Sequence, residues 1–200
     1  MRQNMALNNA KQQGSTLVEF MIAALLGVVA LGIVGAVFLS NQKTAVQRSK
    51  EIMLLQQMSS VIQQVKEDIQ RAGFNGITTK SMMLSGSPSV LYQQSEKIGY
   101  VYRNTASSVS NTIYRLKDNM LEYCQDDSPS PLSVVSAASG CFDLFDPKQI
   151  KVTQFGVSRT LLSGSSIDSA FISISMAAEL KNDPAISHAI LLQVQQRNWQ

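Results

Sequence analysis

Few side chains in this chain of 200 residues could do chemistry. The sequence has one histidine, His188, and two cysteines, Cys124 and Cys141. None of them lies in a glycine-rich phosphate loop, a nucleophile elbow or a metal-ligand spacing. Aspartates between residues 126 and 146 could offer oxygen ligands to calcium, but their spacing matches no calcium-binding loop. We therefore expect no enzymatic activity, no cofactor and no metal ion.

Glu19 is the most unusual acidic residue because it lies at the start of a long apolar run. No charge occurs from Phe20 to Leu39, and about 20 residues suffice for a helix to cross a bilayer. A carboxylate near the membrane interior costs about 2.5–3.5 kcal/mol, so it calls for a partner. A cut after Gly14 would make Ser15 the N-terminus, with its amine about one helical turn from Glu19. In a bundle of such helices, Glu19 could neutralise the terminal amine of a neighbour.

A cleaved secretory signal and an unrelated single-span receptor are the alternatives for this segment. A secretory signal would have a shorter apolar region of roughly 7–15 residues, followed by a small-x-small cleavage site. The basic residues that flank the run do not decide which end is cytoplasmic. They are Arg2 and Lys11 before it, and Lys43, Arg48 and Lys50 after it.

The charge balance gives little support for a nucleic-acid-binding domain. From residue 75 to the end the sequence has ten basic and ten acidic residues, so that region is neutral. Lys148, Lys151 and Arg159 nevertheless fall in a stretch without an acid. Three phosphate contacts would bind DNA weakly and in a salt-sensitive way. The alternative is a solvated strand whose lysines discourage edge pairing.

An apolar stripe with spacings of three and four continues beyond the apolar run and indicates a helix. Gly73 and Gly76 then act as stop signals. The sequence therefore predicts one helix from about Thr16 to Ala72, with its second half packed on a sheet. The residues of the predicted packing stripe are Ile52, Leu55, Met58, Ile62, Val65, Ile69 and Ala72.

Segments with period-two alternation predict an antiparallel sheet after the helix. Tight hairpins are expected around residues 117–119 and 182–184. The apolar residues change parity between Val152 and Phe155, which indicates a β-bulge. In the final hairpin, the inward residues should be Ile172, Ile174, Ile190, Leu192 and Val194. Serine-rich segments are expected to be loops at 81–90, 104–111, 126–140 and 163–169.

The N-terminal stretch KQQGSTLVEFMIAALLG resembles the signal of type IV prepilins. It has a short basic leader, a glycine at the cut, a glutamate at the fifth mature position and a long apolar helix. Three further stretches, EDIQRAGFNG, YRLKDNMLEY and QVQQRN, are similar to the PilW/PpdB group of minor pilins. The resemblance implies an α+β, type IV pilin-like fold, with a long N-terminal helix packed on an antiparallel sheet in a periplasmic head.

The resemblance also implies an organisation in four parts and a set of site residues. Residues 1–14 would be the leader, 15–39 the membrane-spanning half of the helix, 40–74 its amphipathic half and 75–200 the β-rich head. Prepilin peptidase would cut between Gly14 and Ser15, Ser15 would be N-methylated, and Glu19 would be the assembly contact. In a periplasmic head, Cys124 and Cys141 would pair in a disulfide.

The function implied is that of a minor pilin that primes pilus assembly in a tip complex and supports adhesion, motility or DNA uptake. Its partners would be other minor pilins, the major pilin, the prepilin peptidase and the inner membrane. The protein would first span that membrane once and then join the surface pilus. The alternatives are a tip subunit that binds DNA through Lys148, Lys151 and Arg159, and a minor pseudopilin of type II secretion.

Overall fold

The computed structural model describes residues 16–163 and 168–197. The chain divides into two compact units, Met1–Arg48 and Ser49–Gln200, here called the N-terminal and C-terminal units. Helix α1, Leu17–Arg71, contributes residues to both. The predicted leader, together with Gly14 and Ser15, lies outside the described residues.

The described part of the N-terminal unit is the first portion of α1, and every residue from 16 to 48 is exposed. In a protein dissolved in water, a helix exposed on all sides would carry polar residues around its circumference. This one instead presents apolar side chains all round, including Phe20, Leu31 and Phe38. It is the one described helix that is long and apolar enough to cross a membrane.

The C-terminal unit combines the rest of α1 with two antiparallel sheets. The first sheet has five strands in the order β1 to β5: Tyr92–Gln94, Lys97–Thr105, Ser108–Lys117, Met120–Ser128 and Phe142–Asp143. A short helix α2, Val134–Ala137, precedes β5. The second sheet has the order β6-β7-β8: Ile150–Ser163, Asp168–Leu180 and Asp183–Gln195. The predicted α+β fold class, with a long helix before antiparallel strands, is confirmed, although the strands form two sheets rather than one.

Local sequence signals set the hairpins and the bulge. Asp118 and Asn119 connect β3 to β4 with positive φ angles of 51° and 62°, as a two-residue hairpin turn of the primed type requires. The β6–β7 register shifts between Val152 and Gln154, so the predicted bulge is present. The final hairpin turns at 181–182. Of the five residues predicted to face inward there, Ile190 and Leu192 are only half-buried.

The main core lies between α1 and the inner faces of both sheets. The prediction of the helix face was partly wrong, because Ile52 and Leu55 are 54% and 38% exposed. The buried helix residues are Leu54, Met58, Val61, Ile62, Val65, Asp68 and Ile69. The packed face is therefore rotated relative to the predicted stripe and includes one acid.

A second, smaller core covers the opposite face of the five-stranded sheet. It contains Val101, Val109, Ile113 and Cys124, with Ala137 from α2. Both faces of β2 and β3 are thus buried. The prediction of a loop at 104–111 was correct only for the turn at 106–107, because residues 108–111 belong to β3 and Ser110 and Asn111 are fully buried.

Candidate functional site

Glu19 closes a reciprocal cap at the start of α1. The backbone N–H of Thr16 donates to Glu19 Oε2 at 2.9 Å, and the N–H of Glu19 donates to Thr16 Oγ1 at 3.3 Å. This is the capping box, in which two N–H groups that lack intrahelical partners are satisfied. The signal was visible in the sequence as Thr-x-x-Glu before an apolar run. Glu19 itself is exposed, so a second copy of the helix could reach its carboxylate.

A second polar site lies at the other end of α1, inside the C-terminal unit. Asp68 is 3% exposed and accepts a hydrogen bond from the hydroxyl of Tyr114, with an oxygen–oxygen distance of 2.5 Å. Arg71, one turn later, donates to the other carboxylate oxygen. Gln64 donates to the Tyr114 oxygen at 3.2 Å. The buried acid is thus satisfied from both the helix and β3.

Aromatic rings extend this site along the sheet. The Arg71 guanidinium lies 5.3 Å from the ring centroid of Tyr102, within the range of a cation–π contact. Tyr114 and Tyr123 meet edge to face with centroids 4.9 Å apart. We call the set Asp68, Arg71, Tyr100, Tyr102, Tyr114 and Tyr123 the acid–tyrosine cluster. It holds the end of α1 to β2, β3 and β4.

Burial and the nearby carboxylate raise the pKa values of three tyrosines in the cluster. Burial, followed by the charge of Asp68, raises the pKa of Tyr114 well above its ordinary value. The same causes in the same order raise the pKa of Tyr123 to about 12. Burial, then Tyr114 and Asp68, raises the pKa of Tyr100. All three hydroxyls therefore stay protonated when the protein is folded at neutral and mildly alkaline pH.

We expect the free energy of unfolding to fall as the pH rises above about 10. The unfolded chain releases tyrosine protons near pH 10, whereas the folded chain keeps them, so the stabilisation is complete below about pH 10 and is lost as the pH approaches the folded-state pKa values. Each such tyrosine contributes a slope of about 1.4 kcal/mol per pH unit in that window. Urea denaturation from about pH 8 to about pH 11 measures it. Tyr114→Phe should make the slope shallower, and an unchanged slope would contradict this assignment.

The two cysteines form a disulfide that closes a loop at the second core. The sulfurs of Cys124 and Cys141 are bonded at 1.98 Å. The Asn111 side chain, on β3, binds two groups of this loop. It donates to the carbonyl of Asp126 at 3.1 Å and accepts from the N–H of Leu132 at 2.8 Å. A fully buried amide therefore holds two separate points of the loop. No pattern in the sequence indicates this role, because the partners of Asn111 are brought together only by the fold.

The structure does not bring together the three basic residues considered for DNA. Lys148 lies exposed before β6. Lys151 forms an ion pair with Glu179 at 3.0 Å, on the outer face of the sheet. Arg159 lies half-buried in β6, in line with the buried Phe155 and Val157 of the inner face. Lys151 and Arg159 are separated by roughly 25 Å of strand and face opposite sides of the sheet.

Within the described residues, one group of side chains has the spacing to hold a metal ion: Glu122, Cys124 and Cys141. Both sulfurs are already joined to each other, and Glu122 pairs with Arg115 at 2.6 Å. These side chains are therefore not arranged to bind a metal. His188, the single histidine, is half-buried on β8. It therefore lies in the second sheet, whereas Glu122 and Cys124 lie on β4 of the first sheet.

The comparison that decides the family covers most of the C-terminal unit. A family model described as prepilin peptidase-dependent protein B matches residues 47–196. The chain belongs to the prepilin peptidase-dependent protein B family. No curated protein and no solved structure matches significantly. Members of this family are pilus-related proteins, and the matched range contains the acid–tyrosine cluster, the disulfide and both sheets. The stretch around Gly14 and Glu19 lies outside it.

Proposed function

We propose that this member of the prepilin peptidase-dependent protein B family is a minor pilin of a type IV pilus that primes pilus assembly in a tip complex. One observation carries the proposal. An exposed carboxylate, Glu19, lies at the N-terminal end of an exposed apolar helix that is long enough to cross a membrane. The family match adds that the protein is pilus-related. Such a helix has to be covered by lipid or by other helices.

In this proposal, prepilin peptidase cuts after Gly14, and Ser15 becomes the N-methylated N-terminus. Glu19 then neutralises the amine of a neighbouring subunit. In the single chain its carboxylate accepts from Thr16, an N-cap contribution of about 1 kcal/mol. In a bundle of helices that excludes water, opposite charges attract more strongly than they do in water, and a carboxylate left without a partner there carries a cost. We therefore expect Glu19 to exchange the local cap for the neighbour's amine on assembly.

The proposed location follows from the same helix. Before assembly, residues 15–39 would anchor the protein in the inner membrane with the β-rich head in the periplasm, where a disulfide persists. After assembly, this segment would pack among the corresponding helices of other minor pilins and the major pilin. Residues 40–74 would continue toward the head, whose core the structure describes from Leu54 onward.

Two substitutions at Glu19 test the proposal and separate its two roles. Glu19→Gln removes the charge but keeps the capping box, because glutamine can replace glutamate at that position. Glu19→Ala removes both. We expect both variants to lower incorporation into pili at least tenfold, which corresponds to about 1.4 kcal/mol. The measurement is the number of surface pili, and of variant subunits in them, in the source organism with the native gene deleted.

The outcome for Glu19→Gln decides between assembly and capping. Wild-type incorporation of this variant would mean that the carboxylate serves only as a cap, which contradicts the proposed contact. Deletion of the gene supplies the functional control. Few or no pili would support priming. Normal pili with lost DNA capture, or normal pili with lost protein secretion, would replace this proposal with one of the two alternative functions.

A further inference from the structure

Within the part of the chain that the structure describes, the outer edge of β8 carries unpaired backbone groups along most of its length. β8 is the last strand in the order β6-β7-β8. The N–H of Gln196 donates to the carbonyl of Ala170 at 2.9 Å, and the register with β7 continues without a shift from Ser187 to Gln195. Since hydrogen-bonded and non-hydrogen-bonded pairs alternate in an antiparallel ladder, alternate residues direct both backbone groups away from β7. These residues are Ser187, Ala189, Leu191, Gln193 and Gln195.

The opposite edge of the same sheet, on β6, is covered by other parts of the C-terminal unit. On β6, the N–H of Val152 donates to the carbonyl of Asn119 at 2.9 Å. The Gln93 side chain donates to the carbonyl of Val157. Loops and strands of the five-stranded sheet thus cover that edge. Among the described residues, no comparable backbone bond reaches the outer edge of β8.

The β8 edge also lacks the features by which proteins discourage strand pairing. Such features are charges, prolines and bulges along the edge. Between Asp183 and Arg197 the sequence has no charged residue other than the titratable His188, and its proline, Pro184, lies before the regular register. The register shift in the β7–β8 pair falls at the hairpin end and not within the unpaired stretch.

The side chains at this edge leave apolar surface uncovered on both faces of the sheet. Ile190 and Leu192 belong to the inner face but are only half-buried. Leu191, on the outer face, is 68% exposed. A strand added beside β8 would place its own side chains next to all three, since neighbouring strands lie about 4.8 Å apart.

We propose that the β8 edge pairs with β8 of a second copy of this chain, antiparallel and with a two-fold axis at Leu191. Leu191 then faces its own counterpart, Ala189 faces Gln193 and Ser187 faces Gln195. Every one of these residues already directs its backbone groups outward, so the pairing forms about ten hydrogen bonds without a change of register. An interface of this kind is isologous and closes at two subunits.

Side-chain size and apolar character favour the second copy as the occupant. In the proposed register a small residue faces a larger one at Ala189–Gln193 and at Ser187–Gln195. At the axis the two Leu191 side chains, each 68% exposed in the single chain, cover each other. Asp183, at the start of the strand, is already paired with Lys50 of its own chain at 3.2 Å and does not oppose this pairing. The proposal uses only residues of the C-terminal unit and is independent of the pilus role.

Cysteine cross-linking in the full chain, in membranes, tests the register. Across a hydrogen-bonded antiparallel pair the Cα atoms are about 5.5 Å apart, within the range of a disulfide. We expect Leu191→Cys to form a cross-linked dimer under mild oxidation. Ser158→Cys, an exposed position of the same sheet away from the β8 edge, is the matched control. A mixture of Ala189→Cys and Gln193→Cys chains should cross-link, and either variant alone should do so at least tenfold less.

Two blocking variants complete the test, with the Ala189→Cys and Gln193→Cys mixture as readout. Leu191→Pro removes an outward N–H and keeps the bonds to β7, as prolines on edge strands do. Leu191→Lys places two like charges opposite each other. Both should lower the cross-link yield at least tenfold with an unchanged thermal midpoint. Three results would overturn the proposal: Leu191→Cys yields no higher than Ser158→Cys, yields that neither blocking variant lowers, or cross-links only to a different pilus protein.

Discussion

Replacing Asp68 with alanine is expected to lower the free energy of unfolding of the C-terminal unit by about 3 kcal/mol. The carboxylate is almost fully buried and accepts from both Tyr114 and Arg71. Without it, the Tyr114 hydroxyl keeps only the contact with Gln64, and a buried group that has lost its main partner bears a desolvation cost. Urea denaturation of the full chain in detergent, followed by tyrosine fluorescence, measures the change.

The neighbouring acid provides the control for this prediction. Glu67 is exposed, and its side chain accepts from Gln63 at 3.2 Å on the helix surface. Glu67→Ala should change the free energy of unfolding by no more than about 0.5 kcal/mol. Tyr114→Phe, which removes one hydrogen bond to a charged group, should cost about 1.5–3 kcal/mol. An effect of Asp68→Ala as small as that of Glu67→Ala would show that the buried carboxylate adds nothing to stability.

Removal of the disulfide is expected to have an effect of similar size. Cys124 and Cys141 are 17 positions apart, and closing a loop of about that length restricts the unfolded chain by about 3 kcal/mol in the chain-entropy model. The variant should combine Cys124→Ala, because that side chain is fully buried, with Cys141→Ser at the half-buried end. Its urea midpoint should fall. The dependence of the free energy of unfolding on urea should change only to the extent that the unfolded chain without the cross-link exposes more surface.

The wild-type protein with its disulfide reduced is the matched control for this variant. Both lack the cross-link and keep Asn111 and its bonds to the loop. Their urea midpoints should therefore agree. A double variant as stable as the oxidised wild-type protein would mean that Asn111 and α2 hold the loop without help from the disulfide.

The elements with local causes were predictable from the sequence. The turn at Asp118 and Asn119 follows from residues that tolerate positive φ angles. The bulge between Val152 and Gln154 follows from a change of parity that one extra residue explains. The helix, observed from Leu17 to Arg71, was bounded by apolar spacing and by the glycines after it. Each of these signals lies within a few residues of the structure that it determines.

The face of α1 that packs was less predictable. Ile52 and Leu55 share the three-and-four spacing with Met58 and Ile62, but Leu54 and Val61 are spaced equally well from Met58, by four and three residues. The two possible stripes differ by a rotation of less than one residue around the helix. Which stripe is buried depends on the position of the sheets, which is set by contacts far along the sequence. As a result of this placement, Ile52 and Leu55 are exposed rather than buried.

Most of the polar sites also could not be predicted without knowledge of the fold. Asp68 lies among apolar helix positions, which could have marked it as a buried acid, but its partner Tyr114 is 46 residues away. Asn111 lies in a serine-rich stretch that indicated a loop, yet the fold places it inside the sheet. Only the cap formed by Thr16 and Glu19 could be predicted from the sequence, because both partners belong to one helical turn.

The anchoring of the loop between Cys124 and Cys141 has a practical consequence for labelling the protein. The loop is tied at its ends by the disulfide, and Asn111 holds the carbonyl of Asp126 and the N–H of Leu132 within it. Between those two points, Pro129 and Ser130 are exposed and belong to neither a strand nor α2. Exposed loop tips of small and polar residues tolerate inserted sequence. A short epitope between Pro129 and Ser130 should therefore leave both cores intact. It would allow the subunit to be located by antibody on cells without touching the helix, the acid–tyrosine cluster or the edge of β8.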